Sequence, residues 1–349
     1  MKDNGLAIEY AGAALKRDKS LALEAVFNQS DAFLHLDPKL KADPDVAFEA
    51  FRTCVKADAF REPTEEEPQA IPESLRENRE FMLRLAKANI WSFGPVHSSL
   101  LRDKTYQAEV AMAFPPLLDR WAAEEREDLF QVRPELRQRY ETVKQQLKDL
   151  GIEDPMRLRS SKLLDEVLRN RLTPESGKDS RPTALLVFGK TTADPTRAFH
   201  HHNLDDLSKH YRVMYYEAGS EDQMIEALRD GSKRDSAALL MLGGHGNPGS
   251  LNLGRGHEDD DEPRAPGAKD PSEALLLDLT DEDQLKAASL QNVVRPDAKV
   301  VLDSCSTGGG GAQGTNLANV MARVFPGREV MAPTVPVTVK LRVDAEGRF

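Results

Sequence analysis

Cysteine is scarce. The 349 residues hold two, Cys54 and Cys305, which excludes a disulfide scaffold and leaves each thiol to be explained alone. Long apolar runs are missing as well: neither the N-terminal MKDNGLAIEYAGAALKRDKS nor any later stretch approaches the roughly 18 apolar residues of a membrane span, or the uninterrupted apolar core of a signal peptide. The expectation is a cytoplasmic protein with no membrane partner. An excess of positive charge is the third absence. Lys and Arg total 47 against 58 for Asp and Glu, a net charge of −11, and such a field repels phosphate backbones, so nucleic acid is not expected as a partner. With 40% apolar and 30% charged residues, what remains is a globular chain too long for one small core.

The first third carries an internal repeat. Leu15 and Asp18 in ALKRD recur as Leu40 and Asp43 in KLKAD, and Ala22 and Ala25 recur as Ala47 and Ala50. After the acidic insert REPTEEEPQA the signature returns at Leu75 and Asn78, then at Leu100 and Asp103. Each unit predicts a short helix, an Asp or Asn that caps the next helix, and a second helix with an apolar stripe. Units of this kind bury their faces by stacking. Over roughly residues 1–110 the pattern resembles a short helical repeat of unknown function found in bacterial proteins, a resemblance that implies no chemistry; a protein partner is the expectation for such a stacked surface. Helical patterns continue through RPELRQRYETVKQQLKDLG, stopped by Gly151, and through DPMRLRSSKLLDEVLRNRL, opened by Asp154 and Pro155.

After the linker TPESGKDSRP the texture changes. TALLVFGK, YRVMYYEA, AALLMLGG and KVVLDSC are apolar runs of strand length, separated by helical patterns such as SEDQMIEALRDG. Alternation of this kind predicts an α/β domain, a mostly parallel sheet flanked by helices, preceded by an all-α repeat region. The expected boundaries are 1–130 for the repeats, 131–178 for a helical connector and linker, and 179–349 for the α/β domain.

Chemistry gathers at the carboxyl ends of parallel strands. There AALLML runs into Gly243-Gly244-His245-Gly246, and KVVL runs into Asp303-Ser304-Cys305-Ser306. An imidazole beside a thiol raises its thiolate fraction or takes its proton, as nucleophilic catalysis requires. Backbone N–H groups of Gly246 and Cys305 are the candidate donors for an oxyanion. A lone cysteine at a strand end is ordinarily a small buried hydrophobe, and Asp303 in isolation is ordinarily a turn cap; the pairing of the two strand ends argues for more.

HG after the third strand and DSC after the fourth resemble caspase-like cysteine peptidases, above all the metacaspases, over roughly residues 181–349. The STG that follows Cys305 also resembles CHAT domains. The resemblance implies a caspase-like fold in which His245 is the catalytic histidine, Gly246 an oxyanion-hole glycine, Cys305 the nucleophile and Asp303 the acid of a pocket that receives Arg or Lys. Asp194, in the loop after the first strand, stands where such a peptidase borders its specificity pocket. The expected activity is therefore cleavage of protein or peptide substrates after Arg or Lys. The alternative, from another class, is a catalytically inert scaffold in which the repeats bind a protein.

No cofactor is implied. Calcium, which some metacaspases use, would fall to the acidic stretch GRGHEDDDEPRAPGAKDPSE, although this lacks the alternating ligands and glycine of an EF-hand. Adjacent His200, His201 and His202 do not converge on one ion and are expected in a solvated loop. The glycine run Gly308 to Gly311 lacks the Lys-Ser/Thr of a phosphate cradle and is expected to be a flexible substrate loop.

Overall fold

A computed structural model describes residues 4–52, 71–93, 96–173, 179–190, 204–254 and 276–335. The chain divides into two compact units, residues 1–146 with 158–164, and residues 147–157 with 165–349. No described helix is long and apolar enough to cross a membrane.

In the first unit one local device is used four times. The 3-10 turn Leu15–Arg17 ends at Asp18, whose carboxylate accepts from the N–H of Leu21 at 3.0 Å and starts α1 (Lys19–Asn28). Next, α2 (Pro38–Lys41) precedes Asp43, which accepts from the N–H groups of Asp45 at 2.9 Å and Val46 at 3.3 Å and starts α3 (Pro44–Arg52). Asn78 follows α4 (Glu73–Arg76) and starts α5 (Arg79–Ala88) through Phe81 N–H at 2.9 Å. Asp103 follows α6 (Ser98–Arg102) and starts α7 (Lys104–Ala113) through Thr105 N–H at 2.8 Å. Each cap satisfies a donor that the first helical turn leaves orphaned. Ala22, Ala25, Ala47 and Ala50 are fully buried, small residues that let helices approach closely.

The connector departs from the expected pattern at one point. α8 (Ala123–Val132) and α9 (Glu135–Asp149) come first, and Gly151, at φ +68°, ends the second of them. The segment opened by Asp154 was expected as one helix and is two. A 3-10 turn, Pro155–Leu158, gives way to Arg159 in the left-handed region at φ +58°, and α10 (Ser161–Leu172) begins afresh. Ser160 is the reason: its hydroxyl accepts from Leu163 N–H at 3.0 Å and caps a new helix instead of continuing the old one.

The second unit is built on a sheet. β1 (Thr183–Gly189), β2 (Arg212–Ala218) after α11 (Leu204–His210), and β3 (Ala237–Gly243) after α12 (Glu221–Gly231) are parallel. A small antiparallel sheet of β4 (Gly246–Asn247), β5 (Ser250–Asn252) and β6 (Leu276–Asp278) intervenes before α13 (Glu282–Ala287). β7 (Val294–Asp303), α14 (Leu317–Val324) and β8 (Glu329–Met331) complete the main sheet, whose order is β2-β1-β3-β7-β8, every pair parallel. All seven residues of β1 are buried, as an interior parallel strand requires. Leu185, Val187, Leu240, Leu242, Val300 and Leu302 belong to one apolar cluster with Met224 and Leu228 of α12 and Val320 and Met321 of α14. Burial of this layer stabilises the unit at about 25 cal/mol per Å² of apolar surface.

Candidate functional site

The register of β3 against β7 places the site. Gly243 pairs with Asp303, so His245 and Cys305 each stand two residues beyond the ends of adjacent parallel strands, on the carboxyl edge of the sheet. Gly244 N–H donates to the Asp303 carbonyl at 3.2 Å, carrying the pairing one residue past the strand. The His245 carbonyl then accepts from Asn252 N–H at 2.7 Å, which ties the histidine's backbone to β5. Cys305 and His245 are both partly exposed, whereas Asp303 and Ser304 are fully buried beneath the cysteine. The thiol and the imidazole are thus both reachable from solvent, over a floor that is closed.

Gly246 is where the two loops meet. A Cβ there would lie 2.1 Å from Ser304 Oγ and 2.6 Å from the Ser250 carbonyl, so no side chain fits without displacing one loop from the other. Ser304 Oγ itself is buried with no hydrogen-bond partner among the described residues. Behind it, the fully buried Thr307 donates its hydroxyl to the Ser304 carbonyl at 3.2 Å. Ser306, between them, adopts φ +57°, a left-handed conformation that costs a non-glycine residue on the order of 1 kcal/mol and turns the chain sharply after the thiol.

The glycine run is not a loose loop. Gly310 and Gly311 have φ of +82° and +64°, and their turn is latched by two asparagines that the sequence reading missed. Asn316 Nδ2 donates to the carbonyls of Gly309 at 2.9 Å and Gly311 at 2.8 Å, while its Oδ1 accepts from Asn319 N–H at 2.9 Å and caps α14. Asn319 Nδ2 donates to the Gly314 carbonyl at 2.6 Å. A side-chain amide with two donors and an acceptor can close a turn and start a helix together, which is why the run is ordered. The signal in the sequence was Asn316 just before an apolar helical stretch.

A second acid escaped the sequence reading. Glu221 opens α12 and is 8% exposed, with Oε1 lacking a hydrogen-bond partner among the described residues. Burial first, and then the neighbouring Asp281 carboxylate, push its pKa up to about 8. Nothing in the sequence links these two residues, because their proximity arises from the docking of α12 beside the turn after β6.

Asp194, His200, His201, His202, Cys54 and the acidic stretch held in reserve for calcium lie outside the described residues. No protein-family model, no curated protein and no solved structure matches the chain.

Proposed function

We propose that the second unit is a caspase-like cysteine endopeptidase that cleaves protein or peptide substrates after Arg or Lys. The observation that carries the reading is the Gly243–Asp303 register, which sets His245 and Cys305 at matching positions on neighbouring strand ends. The main-sheet order and the three-stranded insert after β3 support the fold assignment. In this mechanism Cys305 Sγ attacks the scissile carbonyl and His245 takes the thiol proton and returns it to the leaving amine. The N–H groups of Gly246 and Cys305 hold the oxyanion. Asp303, at the end of β7, is the acid this reading assigns to the substrate guanidinium; its carboxylate is shut from solvent, so the loops above it must part for that side chain to reach it, and the low-dielectric surroundings then strengthen the pairing. Arg is preferred over Lys because its planar fork matches a carboxylate. The chemistry calls for no cofactor.

The test is a panel of fluorogenic peptides ending in Arg, Lys, Asp or Leu, read as kcat/KM for the parent chain beside Cys305→Ala and Asp303→Ala. Cleavage of the Arg peptide, lost in Cys305→Ala and reduced by about 2 to 3 kcal/mol in Asp303→Ala, is the expected result. Cleavage that survives Cys305→Ala refutes the nucleophile. A parent inert toward every peptide and protein substrate leaves the inert scaffold with protein-binding repeats as the better reading.

A further inference from the structure

Consecutive repeats of the first unit meet through a recurring contact. In the first pair, Asp37 N–H donates to the Lys16 carbonyl at 3.2 Å; in the second, His97 N–H donates to the Arg76 carbonyl at 3.4 Å. Both residues also cap the short helix that follows. Asp37 Oδ1 accepts from Lys39 N–H at 3.0 Å, and His97 Nδ1 lies 3.3 Å from Ser99 N. The side chains across the junction, however, are exchanged. Asp37 holds Arg17 at 2.8 Å, an acid against a base, whereas the place of Arg17 is taken in the second pair by Glu77, 3.6 Å from His97 Nε2. One turn earlier, where the first pair has Ala13, the second has Glu73. The full guanidinium charge has gone and a second carboxylate has been added. One ligand atom from each of Glu73, Glu77 and His97 lies within 4.8 Å of the others.

We infer that Glu73, Glu77 and His97 bind a first-row divalent transition ion, with Zn²⁺ the best match, which clamps the two repeats together. Imidazole plus carboxylates is a ligand set such ions take, and the ion supplies the positive charge that Arg17 supplies at the first junction. In the ion-free chain His97 Nδ1 accepts from Ser99 N–H at 3.3 Å; ligation through Nε2 places the ring proton on Nδ1, where Ser99 Oγ, 2.9 Å away, accepts it. Zinc bonds of about 2.0 to 2.2 Å require the donors to draw together by about 1 Å. Rotation of the glutamates achieves this, since Glu77 is 54% exposed and Glu73 is open to solvent as well. Water completes the coordination. This inference is independent of the peptidase reading, because all three ligands lie in the first unit.

The decisive experiment titrates Zn²⁺ into the full chain carrying Cys54→Ala, Cys305→Ala and alanine at His200, His201 and His202, so that neither thiol nor the histidine run contributes. Calorimetry should show one ion per chain with micromolar Kd, and Co²⁺ should give visible absorption bands. His97→Asn keeps a capping side chain while removing the imidazole, and Glu73→Gln removes one carboxylate; each should weaken binding by about tenfold or more. Glu77→Arg together with His97→Asp rebuilds the ion pair of the first junction and should abolish binding while the chain stays folded. Equal affinity in the parent and all variants, or no binding up to about 0.1 mM Zn²⁺, overturns the inference.

Discussion

Gly246→Ala probes the site at its tightest point. The added Cβ would stand 2.1 Å from Ser304 Oγ, 2.6 Å from the Ser250 carbonyl and 3.3 Å from Thr307 Cγ2, and non-bonded carbon to oxygen contacts rarely fall below about 3 Å. Rotation of Ser304 relieves the first contact. The second is with backbone in β5, so the hairpin that carries His245 must move by several tenths of an ångström. Overpacking of this size costs about 1 to 3 kcal/mol of stability, and on the proposed peptidase reading a displacement of His245 on the same scale lowers turnover by about tenfold to a hundredfold. Urea unfolding and kcat/KM on an Arg peptide measure the two effects separately. Ser304→Ala in the same chain removes the nearest clash and should recover part of the loss, leaving the share due to Ser250. Gly249→Ala is the control in the same hairpin: its nearest neighbour would be 3.5 Å from the new Cβ, and its effect should stay within about 0.5 kcal/mol. A Gly246→Ala chain with unchanged unfolding midpoint and unchanged cleavage would refute the packing of the two loops described above.

Asn316→Ala removes the cap of α14 and leaves the Gly309 and Gly311 carbonyls without their donor, so it should cost about 2 to 3 kcal/mol in urea unfolding and lower peptide cleavage. Glu221 holds a proton in the folded chain between its ordinary 4.5 and about 8 that the unfolded chain has released, so stability should fall as pH rises through that window and level off above it. Glu221→Gln should flatten that part of the profile and be the more stable form above pH 8 by on the order of 1 kcal/mol, as thermal unfolding across the pH range would show. Asp103→Ala, at a repeat cap, should destabilise the first unit by about 1 kcal/mol in hydrogen exchange or urea unfolding while peptide cleavage is unchanged.

What the sequence determined by itself is what depends on near neighbours. Asp18, Asp43, Asn78 and Asp103 were legible as caps because a cap bonds an N–H two or three residues further on, and the repeat presents that spacing four times. The core strands were legible because a strand buried on both faces is a continuous apolar run, and the two loaded strand ends were visible as Gly-His-Gly and Asp-Ser-Cys. β4, β5 and β6 were not legible, since strands of two or three residues carry no period to detect. The break at Arg159 was hidden because Ser160 can sit in a helix as readily as cap one, and packing decided between them. Only the tertiary structure set β3 beside β7 with Gly243 opposite Asp303, across an intervening small sheet and helix, because strand order follows from which buried faces fit and not from spacing along the chain. The same holds for the approach of Gly246 to Ser304 and of Glu221 to Asp281. In the repeats, Glu73 and Glu77 were one turn apart in the sequence, but their meeting with His97 depended on how one short helix stacks on the next.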